Sequence, residues 1–542
     1  VLPAKSEAAV PIAPEVLDRH IANIAEREEA ITRNDCCMMG AVLLDNLGDG
    51  TSMRFWKNDE DDVPPAPPPM QFDGEVINND RFKELVVDFC QGGKKAAHAQ
   101  LVVNKCFSEA ATGPERVKML MELDFVKNEI GPYMSKTAID KLTKDLIVHN
   151  DKDGKAFFRQ VGQYKCHAPK SGKKVKDSYF DDEWRARLIE GGFGEIADDI
   201  IPASTRDNIL DSMFAQSARQ SRTSPRLTKA ALAAFLKCTD TYTATHPALY
   251  SEQKGAGDLP TGWEDVMNGL QDKSSGWSNR FRGLSKSAWA KRYSPELRKL
   301  VAIRMLLRAA AGASMAVMSP MEMVQLFLVD PKEIFLKAES HSGSKRRGKR
   351  WRMIWVSSVL DAICQSLVSL TQNKRDILDY QSGKKTVHGS GVGHHDDGIK
   401  LLMQQIEAFA GDLPVKSSDA SGWDLSVSRL ALLLDAERRS QTVSIFADYE
   451  VNLAMSLSVY TDAFANSAHA LAFKGEVFEC CKYGITATGT PNTTSQNSFM
   501  RSFILFTAGA DWALSVGDDE NHIGKVNEEI LKEWGVITKE DS

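Results

Sequence analysis

Two short acidic signatures stand out for the chemistry they could do. The first is Ser418-Asp419-Ala420-Ser421-Gly422-Trp423-Asp424, set between an apolar–polar approach and a helical stretch. The second is Leu514-Ser515-Val516-Gly517-Asp518-Asp519, an apolar run into a tight turn. Glycine permits the bend and two aspartates land at its tip. Carboxylates at the ends of neighbouring strands make a hard oxygen site suited to Mg2+ or Mn2+. Phosphoryl transfer needs such a site. Two ions roughly 3.5–4 Å apart lower the pKa of an attacking hydroxyl and stabilise the charge that develops in line. Gly-Asp-Asp alone arises by chance in about one chain in ten of this length, usually as a surface turn, so its company decides its meaning.

Between the signatures lies Thr488-Gly489-Thr490-Pro491-Asn492-Thr493-Thr494-Ser495-Gln496-Asn497-Ser498. A glycine- and hydroxyl-rich loop runs into a helix expected from Thr493 to Thr507. Thr493 and Asn497 are four apart and share one face. Such a face can hydrogen-bond a sugar hydroxyl, and the loop around Gly489 can approach a nucleic-acid chain closely. The plainer alternative is a helix N-cap with a polar solvent face. Upstream, Lys337-Ala338-Glu339-Ser340-His341 precedes Lys345-Arg346-Arg347-Gly348-Lys349-Arg350-Trp351-Arg352. Arginine forks bind phosphate bidentately. A solvated basic loop or a localisation signal would read the same way.

The order Asp-x4-Asp, Gly-x3-Thr-x3-Asn, Gly-Asp-Asp resembles motifs A, B and C of positive-strand RNA virus RNA-dependent RNA polymerases. The wording SDASGWDLS and TPNTTSQNSFMRS is most similar to the sobemovirus and polerovirus branch. The resemblance implies roles by position. Asp419, Asp518 and Asp519 would hold Mg2+ or Mn2+. Asp424 and Asn497, with Thr493 near, would read the ribose 2′-hydroxyl. A site built to bond a hydroxyl rejects the deoxy analogue, which leaves the site's buried polar groups unpaired. Val516 before Gly517 departs from the Tyr-x-Asp-Asp common in reverse transcriptases, the enzymatic alternative. The basic cluster resembles motif F, so Lys337, Arg350 and Arg352 would hold the triphosphate. Ser274-Ser275-Gly276-Trp277 resembles the index-finger signature but lacks the family's usual proline. Lys539, after a last helix, is similar to the general acid of motif D.

The same resemblance implies an α+β right hand with fingers and palm. Because 23 residues follow Asp519, the thumb is expected to be missing, and polymerisation by this chain alone to be poor. A catalytically incomplete RNA-binding polyprotein fragment is the non-enzymatic alternative. Expected partners are RNA template and primer or product, ribonucleoside triphosphates, a genome-linked protein and other viral replication proteins. The expected setting is a viral replication complex in the host cytoplasm.

The elements that must position these groups follow from pattern. Residues 1–75 read as linker-like or disordered, with the acidic run Asp59-Glu60-Asp61-Asp62 leading into the proline-rich stretch Pro64 to Pro69. Residues 76–255 read as helical, from stripes such as Phe82, Leu85, Val86, Phe89 and Leu227, Ala231, Leu232, Phe235. This region shows no nameable chemistry. Residues 256–405 would form fingers and 406–542 the palm, broken off after motif D. Within the palm, Val427, Leu430, Leu433 and Leu434 mark one helix. Ala470 to Tyr483, around Lys474-Gly475-Glu476, reads as a β-hairpin. Val526, Ile530, Leu531 and Trp534 mark a last helix ended by Gly535.

Bulk properties narrow the class. The 542 residues are 42% hydrophobic and 26% charged, an ordinary globular composition. A net charge of −6 requires any nucleic-acid contact to come from a local basic patch. The nine cysteines lack metal-ligand spacing. Adjacent Cys36-Cys37 and Cys480-Cys481 read as reduced thiols. No apolar run reaches membrane-spanning length.

Overall fold

Short polar side chains start many of the helices. Thr112, Thr205, Thr228, Ser285 and Ser358 each accept a hydrogen bond from the backbone N–H three residues on. That satisfies one of the donors every helix leaves open at its start. The computed structural model describes residues 112–122, 124–143, 146–165, 182–194, 201–222, 225–245, 262–339, 341, 347–391, 396–441 and 449–537. The acidic and proline-rich tracts and the Phe82 stripe lie outside them.

The helices that frame the site are α1 (Gly113–Met121), α2 (Asp124–Thr137), α3 (Arg206–Ser217), α4 (Lys229–Thr239), α5 (Lys286–Ala311), α6 (Val359–Gln381), α7 (Asp396–Ala410), α8 (Arg429–Gln441), α9 (Tyr449–Ser467), α10 (Thr493–Thr507) and α11 (Glu528–Glu533). The strands are β1 (Lys141–Leu142), β2 (Val148–Asn150), β3 (Ala156–Gln163), β4 (Lys332–Leu336), β5 (Met353–Val356), β6 (Lys416–Ser418), β7 (Ala470–Phe473), β8 (Glu476–Cys480), β9 (Trp512–Val516) and β10 (Asp519–Ile523). They form a seven-stranded sheet in the order β1-β3-β8-β7-β4-β5, with β2 on β3, and a three-stranded sheet in the order β6-β10-β9. All pairs are antiparallel except β4 with β7.

The expected hairpin is β7–β8. Its two-residue turn, Lys474-Gly475, has φ of 48° and 89°, as a tight hairpin turn with both central residues left-handed requires. Helix α10 spans the expected residues, Thr493–Thr507. The stripe at Leu227 to Phe235 and the last stripe lie on and beside α4 and α11.

The mainly helical reading of residues 76–255 names no strand. Among the described residues this stretch also supplies β1, β2 and β3, and β3 pairs with β8 to extend the large sheet. Alternation is broken along β3, because adjacent Phe157 and Phe158 are both buried and the register shifts between Gln160 and Gly162. Pattern reading has little to hold in such a strand.

Three cores matter for the site. One lies around α5, α6 and α9, built on Leu300, Leu307, Ile363 and Phe464. A second joins α4, α8, α10 and α11 through Phe235, Leu432, Phe503 and Trp534. The third packs α3 and the large sheet through Met213, Trp351, Trp355 and Phe478. Cys238, Cys364, Cys480 and Cys481 are free thiols. Among the described residues no helix is long and apolar enough to cross a membrane.

Candidate active site

The small sheet sets the carboxylates. In β6–β10 the paired residues are Ser418 with Glu520, Ser417 with Asn521, and Lys416 with His522. One more step in that register puts Asp419 opposite Asp519, with Cα atoms roughly 4.5–5.5 Å apart for such a pair. In β10–β9, Asp519 pairs with Val516, so Gly517 and Asp518 form a two-residue turn. Gly517 has φ +68°, a conformation that side chains other than glycine rarely adopt. Asp519 is exposed, while Asp419 and Asp518 are half-buried.

Both faces of this sheet are accounted for by strand alternation. Trp512, Leu514 and Ile523 pack against α7 through a core that includes Ala410. Asp519 lies on that same face, beyond the end α7 covers. Ala513 and Ser515 face α10. Ser502 Oγ donates to Ser515 Oγ at 2.8 Å, and the Gly517 N–H donates to Ser498 Oγ at 2.8 Å. Serines one turn apart on α10 therefore fix both β9 and the aspartate turn. Helix α8 in turn grips the start of α10, as Arg439 donates to Asn492 Oδ1 at 2.6 Å and Ser495 Oγ at 3.1 Å.

Arg501 is the charged member of the α10 face and is fully buried. Its Nη2 donates to Ser418 Oγ at 2.9 Å and lies 3.5 Å from Glu520 Oε1. Ser418 also bonds Glu520, and Glu520 meets His522 Nδ1 at 2.9 Å. Arg501 thus ties the strands of both acidic signatures to α10. Burial lowers its guanidinium pKa, while the charges of Glu520, Asp518, Asp419 and Asp519 pull the other way. Its Nε and Nη1 are buried without a hydrogen-bond partner among the described residues. The sequence quoted Arg501 but gave it no role. The available signal was an arginine one turn after Asn497 on a helix otherwise rich in Phe, Met and Ile.

The second aspartate of the first signature sits deeper. Burial pushes the Asp424 carboxyl up to about 6; the hydrogen bond from Thr488 opposes this, and Asp518 adds to it. Thr488 Oγ1 donates to Asp424 Oδ2 at 2.9 Å, and the Thr488 carbonyl accepts from Trp355 N–H at 3.3 Å. The glycine loop therefore lies between Asp424 and β5. Gly489 takes φ +94°, and a Cβ there would sit 3.4 Å from the Trp355 carbonyl.

Thr493 is used inside this loop. Its hydroxyl bonds the carbonyls of Ala487 at 3.0 Å and Thr490 at 3.1 Å. Asn497 differs: it is buried, yet its Oδ1 finds no partner among the described residues. Buried acceptors left unpaired are rare and point to a ligand or water.

The basic residues divide. Lys337 pairs with Glu339 at 2.6 Å, and Arg352 lies 3.9 Å from the same carboxylate. The Lys337 N–H donates to the Arg352 carbonyl at 2.9 Å, so the two are cross-strand neighbours at the end of β4–β5. Arg352 also lowers the Asp424 pKa. Lys349 turns to Asp211 at 3.0 Å. Arg350 has no ion pair among the described residues. Lys345, Arg346 and Lys539 lie outside the described residues. Gly276 of the index-finger signature has φ +55°, and a Cβ there would lie 2.8 Å from the Ser357 carbonyl, so that turn packs on the end of β5.

Comparison with known proteins points one way. The chain is 29% identical over 203 residues to the replicase polyprotein P2AB of Southern cowpea mosaic virus, covering 37% of this chain and 20% of that protein. It is 31% identical over 241 residues to the RNA-directed RNA polymerase of Mushroom bacilliform virus, covering 42% and 56%. This chain is a relative of the sobemovirus and polerovirus replicases. It spans about a fifth of the polyprotein relatives and just over half of the bacilliform virus polymerase. No family model matches. A Sicinivirus 3Dpol RNA dependent RNA polymerase aligns with a TM-score of 0.45 at 13% identity, over 70% of this chain and 76% of that one.

Among the described residues no three His, Cys, Asp or Glu side chains converge into a ready metal cage. The donor set nevertheless fits a hard divalent cation in type and placement. All three ligand candidates are carboxylates, they sit at neighbouring strand ends, and one guanidinium stands among four acids.

Proposed function

We propose that this chain carries the fingers and palm of a viral RNA-dependent RNA polymerase, joining ribonucleoside triphosphates to a primer on an RNA template. The observation that carries the reading is the meeting of Asp419 with the Asp518-Asp519 turn at adjacent strand ends, braced by the helix that carries Asn497. Its relation to viral replicases supports it independently.

In this reading Asp419, Asp518 and Asp519 hold Mg2+ or Mn2+, which lowers the pKa of the attacking 3′-hydroxyl and offsets charge on the phosphoryl group. Lys337, Arg350 and Arg352 bind the triphosphate from the β4–β5 side. Asn497 Oδ1 accepts the hydrogen bond of the ribose 2′-hydroxyl, with Asp424 beside it. Thr493 and Gly489 shape the loop. Lys539 donates a proton to the departing pyrophosphate. A genome-linked protein and other replication proteins are its partners, in a replication complex of the host cytoplasm.

The test is primer extension on an RNA template with Mg2+ or Mn2+, run beside Asp518→Ala. Ribonucleotide incorporation that vanishes in the variant supports the reading. Preference for deoxynucleotides would make it a reverse transcriptase. RNA binding by a folded chain without incorporation would favour the catalytically incomplete fragment.

A further inference from the structure

We propose that Arg219, from the region N-terminal to the fingers, binds the triphosphate of the incoming nucleotide together with Arg350. The proposal rests on the polymerase reading and adds a residue that none of its motifs contains.

Placement is the first argument. Helix α3 is pinned beside the basic segment, since Ser212 Oγ and Gln216 Nε2 donate to the Trp351 carbonyl at 2.7 and 3.0 Å. Past the end of α3 the chain runs over the first acidic signature. Arg219 Nη2 donates to Ser421 Oγ at 2.8 Å, and Gln220 Nε2 approaches the Gly422 carbonyl at 3.4 Å. Gly422 permits this crossing, because a Cβ there would lie 2.7 Å from Gln220 Nε2 and φ is +68°. Ser421 is two residues after Asp419 and three before Asp424. Arg219 is therefore held on the backbone stretch that links Asp419 to Asp424.

Charge is the second argument. Arg219 is half-buried, and its one side-chain hydrogen bond among the described residues is to neutral Ser421. Neither Arg219 nor Arg350 has an ion-pair partner among the described residues. They are near enough that Arg350 adds to the burial that lowers the Arg219 pKa. Two guanidiniums that repel each other without an ion-pair partner favour the binding of an anion. A polyphosphate supplies several acceptor oxygens at the spacing arginine forks bind. RNA backbone phosphate offers the same chemistry. Its anchor on Ser421, within the signature that carries Asp419 and Asp424, favours the triphosphate.

The experiment measures equilibrium binding of ATP and, separately, of a single-stranded RNA oligomer to the wild-type chain, Arg219→Ala, Arg219→Lys and Ser421→Ala. Thermal unfolding confirms that each variant folds. Loss of a charge-assisted contact should weaken ATP binding about tenfold or more in Arg219→Ala. Arg219→Lys should recover part of it, Ser421→Ala should weaken it less, and RNA affinity should hold. Equal ATP binding by wild type and a folded Arg219→Ala overturns the proposal alone. RNA affinity that falls while ATP affinity holds overturns it in favour of a backbone contact. A wild-type chain that binds neither ATP nor RNA overturns the polymerase reading and this proposal with it.

Discussion

Buried arginine meets acidic side chains in several places here, and two of them are built to opposite ends. In the core of α5, α6 and α9, Arg304 pairs with Asp330 at 2.8 Å and Asp361 at 3.0 Å. Arg308 pairs with Asp361 at 2.8 Å and Asp462 at 3.2 Å. Backbone groups join that network: the Phe327 and Leu328 carbonyls accept from the two Nε atoms, and the Asp330 N–H donates to Asp361, leaving Arg304 Nη2 without a partner among the described residues. In the small sheet, Asp419, Asp518, Asp519 and Glu520 all act on Arg501, and two of its nitrogens find no partner among the described residues. The first network sets Arg304, Arg308 and the nearby Lys332 against Asp330, Asp361 and Asp462, and fixes a fold. The second gathers several carboxylates around one buried guanidinium near the surface, the kind of donor set a cation site uses.

The largest effect should come from breaking the first network. Asp361→Asn leaves Arg304 and Arg308 sharing a lost charge, and should cost about 3–5 kcal/mol in denaturant unfolding. A loss under about 1 kcal/mol would mean the network is looser than its geometry. Arg501→Met should cost less, on the order of 1–3 kcal/mol, because Arg501 is incompletely satisfied to begin with. Added Mn2+ should recover more stability in Arg501→Met than in wild type, since it replaces the missing positive charge. Equal recovery in both would blur the contrast drawn here.

Asp424 gives a pH signature. Its folded pKa, about 6, stands above the ordinary carboxylate value. The folded chain therefore holds this proton more tightly than the unfolded chain. The stability it contributes is full below about pH 4 and is lost as pH rises through about 6. Asparagine mimics the neutral form, so Asp424→Asn should be more stable than wild type above pH 6, with the gap closing towards pH 4. A constant gap in pH-dependent unfolding would show that burial does not govern this carboxyl. The smallest effect belongs to the exposed pair Arg187–Glu183, where Arg187→Ala should change stability by about 0.5 kcal/mol or less.

Local signals explain what was legible from sequence. The glycine turn before Asp518 and the helix from Thr493 each carry their geometry in a few adjacent residues, as does the Lys474-Gly475 hairpin. What stayed hidden depends on contacts far apart in sequence. Arg219 meets Ser421 across 202 positions, and no periodicity foretells that. Strand β3 gains its place from β8, more than 300 residues on, while its own alternation is broken. Glu520 follows the aspartate pair, and nothing in its neighbours marks it as buried. Strand alternation turns it inward to Arg501 and Ser418, away from the face that bears Asp519.

The central claim is that the small sheet holds an under-compensated carboxylate cluster made for a divalent cation. Thermal unfolding of the wild-type chain and of Asp518→Ala, each titrated with Mn2+, tests it most directly. Binding to the folded state alone should raise the wild-type Tm with Mn2+ concentration, and the rise should be absent in Asp518→Ala. No rise in wild type, or the same rise in both, would contradict the account.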